Sequence, residues 1–170
     1  MAVFYAYFYV SVKERCMFAD IHNHVIYGVD DGASGEKETM ALIDLARRTG
    51  TGIMCFTPHV YPEYFSDNAE AIVRNFGIVK EKASAAFPDM QFYLGSEIHY
   101  TPSTLSWIRD NKAFTMNGTD SVLLEFDTDD DTGKIIKAFA TLDKEIRDDA
   151  VRLAGDFVKT VVQQAFGKDE

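Results

Sequence analysis

Apolar and polar positions alternate along the chain in a way that predicts strands and helices in turn. Phe18–Val25 is a short apolar strand, and Tyr27–Gly35, rich in Gly and Asp, is a loop. Glu36–Thr49 is a helix with apolar positions Met40, Ile43, Leu45 and Ala46, starting just after Ser34, an N-cap candidate, and Gly50 and Gly52 close it. Ile53–Thr57 is a second strand and Pro58–Asn68 a loop. Ala69–Phe87 is a helix carrying Ile72, Phe76, Val79 and Ala83 on one face until Pro88 ends it. Gln91–Gly95 is a third strand, Pro102–Asn111 a short helix or turn with Trp107 as a packing residue, and Ser121–Phe126 a fourth strand. Short strands alternating with helices predict an α/β fold built on a parallel sheet or barrel.

The two ends follow different patterns. Residues 1–10 read MAVFYAYFYV, a density of aromatic and β-branched types that suits a strand. A targeting segment, or a leader translated from upstream of Met17, is the alternative, although Lys13 and Arg15 follow the apolar run instead of preceding it. After Phe126, Asp127–Asp131 reads as a solvated acidic loop without the spacing or closing Glu of a calcium loop. Beyond it Ile135, Phe139, Leu142, Ile146, Ala150, Leu153, Phe157 and Val161 recur every three or four residues. That stripe predicts one long amphipathic helix, or two broken near Gly155. The expected division is therefore 1–16, an apolar strand or leader; 17–127, an α/β domain; and 128–170, a helical segment.

Composition narrows the function. The 170 residues are 46% hydrophobic and 26% charged, which excludes disorder as the main state, and the net charge of −10 disfavours nucleic acid and anionic membranes as partners. No apolar run approaches the ~20 residues of a membrane helix, so no membrane insertion is expected. Two cysteines, Cys16 and Cys55, fit a reduced, cytoplasmic setting.

The chemistry lies at the strand ends. His22-Asn23-His24 would point two imidazoles the same way if it continues the first strand. It leads into Asp30-Asp31-Gly32; the second strand ends at Thr57-Pro58-His59, the third at Gly95-Ser96-Glu97, and the fourth at Glu125. Parallel α/β folds collect their sites at the carboxyl ends of strands. Mixed imidazole and carboxylate ligands suit Mn, Zn or Fe. A bare Glu125 directly after Val122, Leu123 and Leu124 is costly unless paired or coordinated. His99 shares a face with Glu97 if that strand continues, and reads as structural or substrate-facing. Tyr61, Tyr64 and Phe65 form either an aromatic pocket wall or a simple packed loop.

Together His22-x-His24, Val29-Asp30-Asp31-Gly32, Thr57-Pro58-His59, Gly95-Ser96-Glu97-Ile98-His99-Tyr100-Thr101-Pro102, Thr115-x-Asn117 and Leu123-Leu124-Glu125-Phe126 resemble the polymerase-and-histidinol-phosphatase (PHP) family. The nearest branch is the bacterial capsule and exopolysaccharide tyrosine-protein phosphatases, and the likeness covers about residues 17–127. It implies a β/α barrel with a trinuclear metal cluster, Mn foremost, whose hydroxide attacks phosphotyrosine on a bacterial tyrosine kinase. By the same resemblance His22, His24 and Glu97 hold the first metal, Glu97 and Glu125 the second, and Asp31 and His59 the third. Neither Cys16 nor Cys55 starts a Cys-x5-Arg motif, so a thiol mechanism is not expected.

The resemblance also implies three later ligands, a His in an Ala-His-Pro-Glu-Arg-like strand and an Asp-x-His. This sequence has no histidine after His99, and Arg147 and Arg152 are not placed near the ligands by any motif. The expectation is a truncated barrel with a weakened site, its C-terminal stripe covering a sheet edge or forming a homodimer seam. The rival reading is a non-catalytic metal-binding or interaction protein on the same half-barrel. A small phosphate ester, such as histidinol phosphate, is the third.

Overall fold

A computed structural model describes residues 7–12, 15–65, 67–142 and 144–145. Two compact units divide after Thr128. In the first, a four-stranded sheet has the order β1-β2-β3-β5 and a three-stranded sheet the order β4-β6-β7. The strands of the first sheet are β1 (Tyr7–Val12), β2 (Arg15–Asp20), β3 (Thr51–Phe56) and β5 (Gln91–Leu94). Those of the second are β4 (His59–Val60), β6 (Glu97–His99) and β7 (Leu123–Glu125). Every pairing is parallel except the antiparallel β1–β2 hairpin at the sheet edge. The fold is thus mixed α/β with parallel sheets, as expected, and the hairpin edge is an addition to that expectation.

Of the apolar run at residues 1–10, residues 7–10 fall in β1, which continues to Val12, and residues 1–6 lie outside the described residues. The boundary drawn between residues 16 and 17 falls inside β2. The first strand of the core ends at Asp20 and not at Val25. His22 and His24 therefore sit in the segment leaving the strand, where strand alternation does not place them.

Two strands are interrupted and pass from one sheet to the other. After β3 the chain runs through Thr57-Pro58 into β4, and after β5 through Gly95-Ser96 into β6. Pro58 has no N–H to give to a ladder, so the strand breaks there. Pairing continues across the break through Gly95 N to Phe56 O (2.8 Å) and Glu97 N to Pro58 O (3.1 Å). The sequence read β3 and β5 as single strands ending in ligands; instead each ligand opens a short strand of the second sheet.

Helices α1 (Glu36–Arg48) and α3 (Ala69–Ala86) pack on the first sheet, with the four-residue α2 (Pro62–Phe65) between them in sequence and α4 (Thr104–Arg109) after β6. On α3, Ile72, Val79 and Ala83 are fully buried, as the periodicity required. On α1 the buried face runs through Thr39 and Ile43, whereas Leu45, one of its apolar positions, is 52% exposed. Thr39 can be buried because its hydroxyl donates to the Val25 carbonyl at 2.6 Å. The N-cap is Gly35 and not Ser34, whose amide and hydroxyl are both tied to the Glu38 carboxylate. Phe56 stacks on Phe92 and meets Phe76 edge-on, with Ile26, Met54 and Ile98 completing the core, and Trp107 packs against it.

In the second unit the backbone is helical from residue 132 to 142 and again at 144–145. Asp131 caps this helix, its carboxylate accepting the amides of Gly133 and Lys134 at 2.7 and 3.1 Å, so it is not merely solvated. Ala138 and Leu142 are buried, whereas Phe139 is 53% exposed and leaves the predicted stripe. Arg147, Arg152 and the stripe from Ile146 to Val161, with its break and dimer seam, lie outside the described residues. Among the described residues no helix is long and apolar enough to cross a membrane.

Candidate metal centre

The second sheet sorts its residues by face. β6 alternates Glu97, Ile98, His99, so Ile98 faces one side and its two neighbours the other. In register, His59 lies beside Glu97 and Glu125 beside His99, while Val60 and Leu124 flank Ile98. One face therefore belongs to the core, where Ile98 and Val60 are buried, and the opposite face carries two imidazoles and two carboxylates.

His22 and His24 reach this face from the end of β2. Asn23 between them is fastened to the end of β3: its amide donates to Thr57 Oγ1 (2.9 Å) and its side chain to the Cys55 carbonyl (3.1 Å). Thr57 N in turn donates to Asn23 O. With the middle residue pinned, the two imidazoles converge on one carboxylate. His22 Nε2 is 3.0 Å from Glu97 Oε1, and His24 Nε2 is 3.1 Å from Glu97 Oε2. His59 Nδ1 approaches the same Oε2 at 3.3 Å and Glu125 Oε2 at 3.6 Å. Asp31, 71% exposed, lies 3.8 Å from His59 Nε2.

Asp30 organises the approach. Its fully buried side chain takes His24 Nδ1 at 2.9 Å and the His59 amide at 2.9 Å on Oδ2, and the Gly32 amide at 3.0 Å on Oδ1. The loop closes tightly enough that a Cβ on Gly32 would fall 2.0 Å from the His24 carbonyl oxygen, so only glycine fits. Asn68 ties the loop to β4 by donating to the carbonyls of Val29 (2.8 Å) and His59 (3.0 Å). The sequence reading gave Asp30, Asn68 and Thr57 no role. Asp30 and Asp31 are adjacent and look alike, and only the fold shows that one faces inward and the other outward.

Opposite charges gather closely at this cluster. Burial pushes the Glu97 carboxyl up, but hydrogen bonds from His22 and His24 outweigh it and hold it at about 2. Burial pushes the His24 imidazole down, but Asp30 and then Glu97 outweigh it and raise it to about 10. Asp30 is likewise held below the usual carboxylate range, its burial offset by His24 and the two amides. Buried carboxylates need a compensating positive charge close by. The Nδ1 atoms of His59 and His99 are buried without a hydrogen-bond partner. Three sets of donor atoms lie within 4.8 Å of one another: His22, His24 and Glu97; His24, Asp31 and His59; His59, Glu97 and Glu125. The donors fit divalent metals of the Mn, Zn and Fe kind. All six residues singled out in the sequence are thus brought together, with His24 and His59 shared more widely than the family layout implies.

Aromatic rings frame the imidazoles. Phe65 stacks on His59 (5.5 Å between centroids, 11°) and Tyr61 on His99 (3.9 Å, 7°), so the loop after His59 packs against the site. Tyr64 touches Tyr61 but is 74% exposed. Cys55 is buried, and burial pushes its thiol up to about 11, the wrong direction for a nucleophile at neutral pH.

The profile of a protein family described as "Capsular polysaccharide synthesis, CpsB/CapC" matches residues 18–145. The tyrosine-protein phosphatase CpsB of Streptococcus agalactiae is 35% identical over 107 residues, which are 63% of this chain and 44% of that protein. The protein of the same name from Streptococcus pneumoniae is 33% identical over the same shares of the two chains. The putative tyrosine-protein phosphatase CapC of Staphylococcus aureus is 26% identical, covering 63% of this chain and 42% of its own. A solved structure from the work described as "Crystal structures of YwqE from Bacillus subtilis and CpsB from Streptococcus pneumoniae, unique metal-dependent tyrosine phosphatases" shares the fold. Its TM-score is 0.65 at 21% identity, over 75% of this chain and 51% of that one. The chain spans less than half the length of these curated relatives.

Proposed function

The chain belongs to the capsular polysaccharide synthesis family CpsB/CapC, and from that premise we propose that it is a metal-dependent phosphoesterase acting on phosphotyrosine in proteins. The observation that carries this reading is the convergence of His22, His24 and His59 on the buried Glu97, with Glu125 beside them. His22, His24, Asp31, His59, Glu97 and Glu125 are the proposed metal ligands, and Mn, with Zn and Fe as alternatives, is the proposed metal. When bound, such ions lower the pKa of water and polarise a phosphoryl oxygen.

The chain's own residues do the positioning. Asp30 engages His24 Nδ1 and so directs its Nε2 toward Glu97. Phe65 fixes the plane of the His59 ring by stacking. Tyr64, exposed at the rim beside Tyr61, offers its ring to the aromatic ring of a substrate. The substrate class follows from the relatives named as tyrosine-protein phosphatases, and a bacterial tyrosine kinase in the cytoplasm is the proposed partner. Residues 17–127 are proposed as part of a PHP-type β/α barrel, followed by a helical segment. The parallel pairings of both sheets and the unit boundary at Thr128 support that division.

The test is hydrolysis of a phosphotyrosine peptide by the full chain, stripped of metal and resupplied with Mn, Zn or Fe(II). Turnover that depends on metal and is absent from the His22→Ala/His24→Ala double variant is expected. Turnover no higher than that of the double variant under any metal would favour a non-catalytic binding protein.

A further inference from the structure

We propose that Asn68 is a positioning residue for His59 and Asp31 as metal ligands, its side-chain amide clamping the two backbone segments that carry them instead of capping the helix it begins. The inference rests on the metal centre proposed above and names what holds one part of it in register.

Asn68 is the N-cap of α3, and its carbonyl accepts a helical bond from the Ile72 amide at 2.9 Å. Asn ranks among the best N-cap types because its side-chain oxygen can accept an amide of the first turn. Here it makes no such bond, and its backbone, at φ −100° and ψ 4°, stands outside the extended region that N-caps usually adopt. The Ala69 amide is served instead by the Asp67 carboxylate. The Asn68 side chain is nonetheless buried, so its polar atoms need partners elsewhere.

Its Nδ2 donates to the carbonyls of Val29 at 2.8 Å and of His59 at 3.0 Å. Both partners only accept, so the nitrogen and not the oxygen of the amide must face them. Val29 directly precedes Asp30, whose carboxylate accepts the His59 amide at 2.9 Å. The two peptide groups flanking His59 are therefore held, one by Asp30 and the other by Asn68, and Asn68 closes the circuit at the Val29 carbonyl. Asp31, next in the loop, brings its Oδ1 to 3.8 Å from His59 Nε2. His24, Asp31 and His59 form one of the groups of converging donors, and His59 serves a second with Glu97 and Glu125. His22 lies outside this circuit, because Asn23 beside it is fastened to Thr57 and the Cys55 carbonyl. Loss of the clamp should thus release the Asp31–His59 pair and spare the His22 end. Serine in place of Asn68 keeps the capping ability and cannot clamp, since a short hydroxyl carries one hydrogen against the two of an amide.

The experiment uses the full chain with 15N-labelled histidine and asparagine, stripped of metal and titrated with 113Cd(II) alone. Cadmium coupling on ring nitrogens of His22, His24 and His59 is expected in the unaltered protein. In Asn68→Ser the His59 coupling should need about 10- to 100-fold more cadmium. His22 and His24, which meet on Glu97, should couple as before. Asp67→Ala, which weakens the same helix start and leaves the clamp, should keep all three. Unchanged cadmium affinity at His59 in Asn68→Ser overturns the inference and leaves the metal centre standing. An equal loss at His22 and His59, which a merely structural residue would cause, overturns it too. No coupling at any histidine of the unaltered protein overturns the metal centre together with the inference. If Asn68→Ser does not fold, hydrogen exchange of the Asn68 side-chain amide in the unaltered, metal-free protein decides. Protection of its Nδ2 hydrogens is expected, and exchange as fast as at the exposed Asn117 overturns the clamp.

Discussion

Replacing Asp30 separates the work of a buried acceptor from that of its charge. Its carboxylate accepts three hydrogen bonds, from His24 Nδ1, the His59 amide and the Gly32 amide, in a side chain with no exposed surface. In Asp30→Asn the remaining carbonyl oxygen can take the Oδ2 place and keep both His24 and His59. The new NH2 then opposes the Gly32 amide, but Gly32 is exposed and can turn to water. The cost is the loss of charge assistance in two bonds and of one exposed bond, about 1–3 kcal/mol. Asp30→Ala leaves the His59 amide and His24 Nδ1 both without a partner, and its cost rises to about 3–5 kcal/mol. Urea unfolding of chelator-treated protein measures this order, wild type above Asn above Ala. Titration with Mn should show Asp30→Asn binding about 10- to 100-fold more weakly, because the bond that orients the His24 ring loses its charge assistance. The His24→Gln/Asp30→Asn double variant should be less unstable than the sum of the single changes by about 0.5–3 kcal/mol. Equal stability and equal metal affinity for wild type and Asp30→Asn would refute the reasoning.

Other consequences are more local. Gly32→Ala places a Cβ against the His24 carbonyl, so it should destabilise the chain by about 1–3 kcal/mol and weaken metal binding, as unfolding and titration would show. Ile98 is fully buried behind the ligand face; Ile98→Val should cost about 0.5–1.5 and Ile98→Ala about 2–5 kcal/mol in the same unfolding assay. Cys55, with its thiol raised to about 11, should resist iodoacetamide in the folded protein at pH 8 and react once urea unfolds it. The sign is fixed by chemistry, since the thiolate is the reactive form and a raised pKa makes it scarce. Fast modification of Cys55 at pH 8 in the folded protein, located by peptide mapping, would contradict its burial.

The long periodic elements were legible in the sequence because one interaction dominates each. Ile72, Val79 and Ala83 mark α3, and no competing pattern obscures them. Leu45 and Thr39 show where hydrophobicity alone misleads. The face that meets the core includes a threonine whose hydroxyl finds the Val25 carbonyl, while the leucine beside that face stays in water. Short strands carry too few residues for a period, so β4 and β6 merged into the strands before them. The six candidate ligands were visible as residue types at strand ends, and the structure brings them within reach of one another. The supporting groups were not visible. Asp30 and Asp31 differ only in direction, and the pairing of His99 with Glu125 depends on the register of β6 against β7.

Crystals of the chain soaked in Mn(II), with anomalous scattering collected on both sides of the Mn edge, would address the metal centre itself. Peaks are expected between His22, His24 and Glu97, and between His59, Glu97 and Glu125, with Glu97 contributing to both. An ordered site with these side chains in place and no anomalous peak among them, at Mn concentrations that support turnover, would contradict metal binding by this cluster.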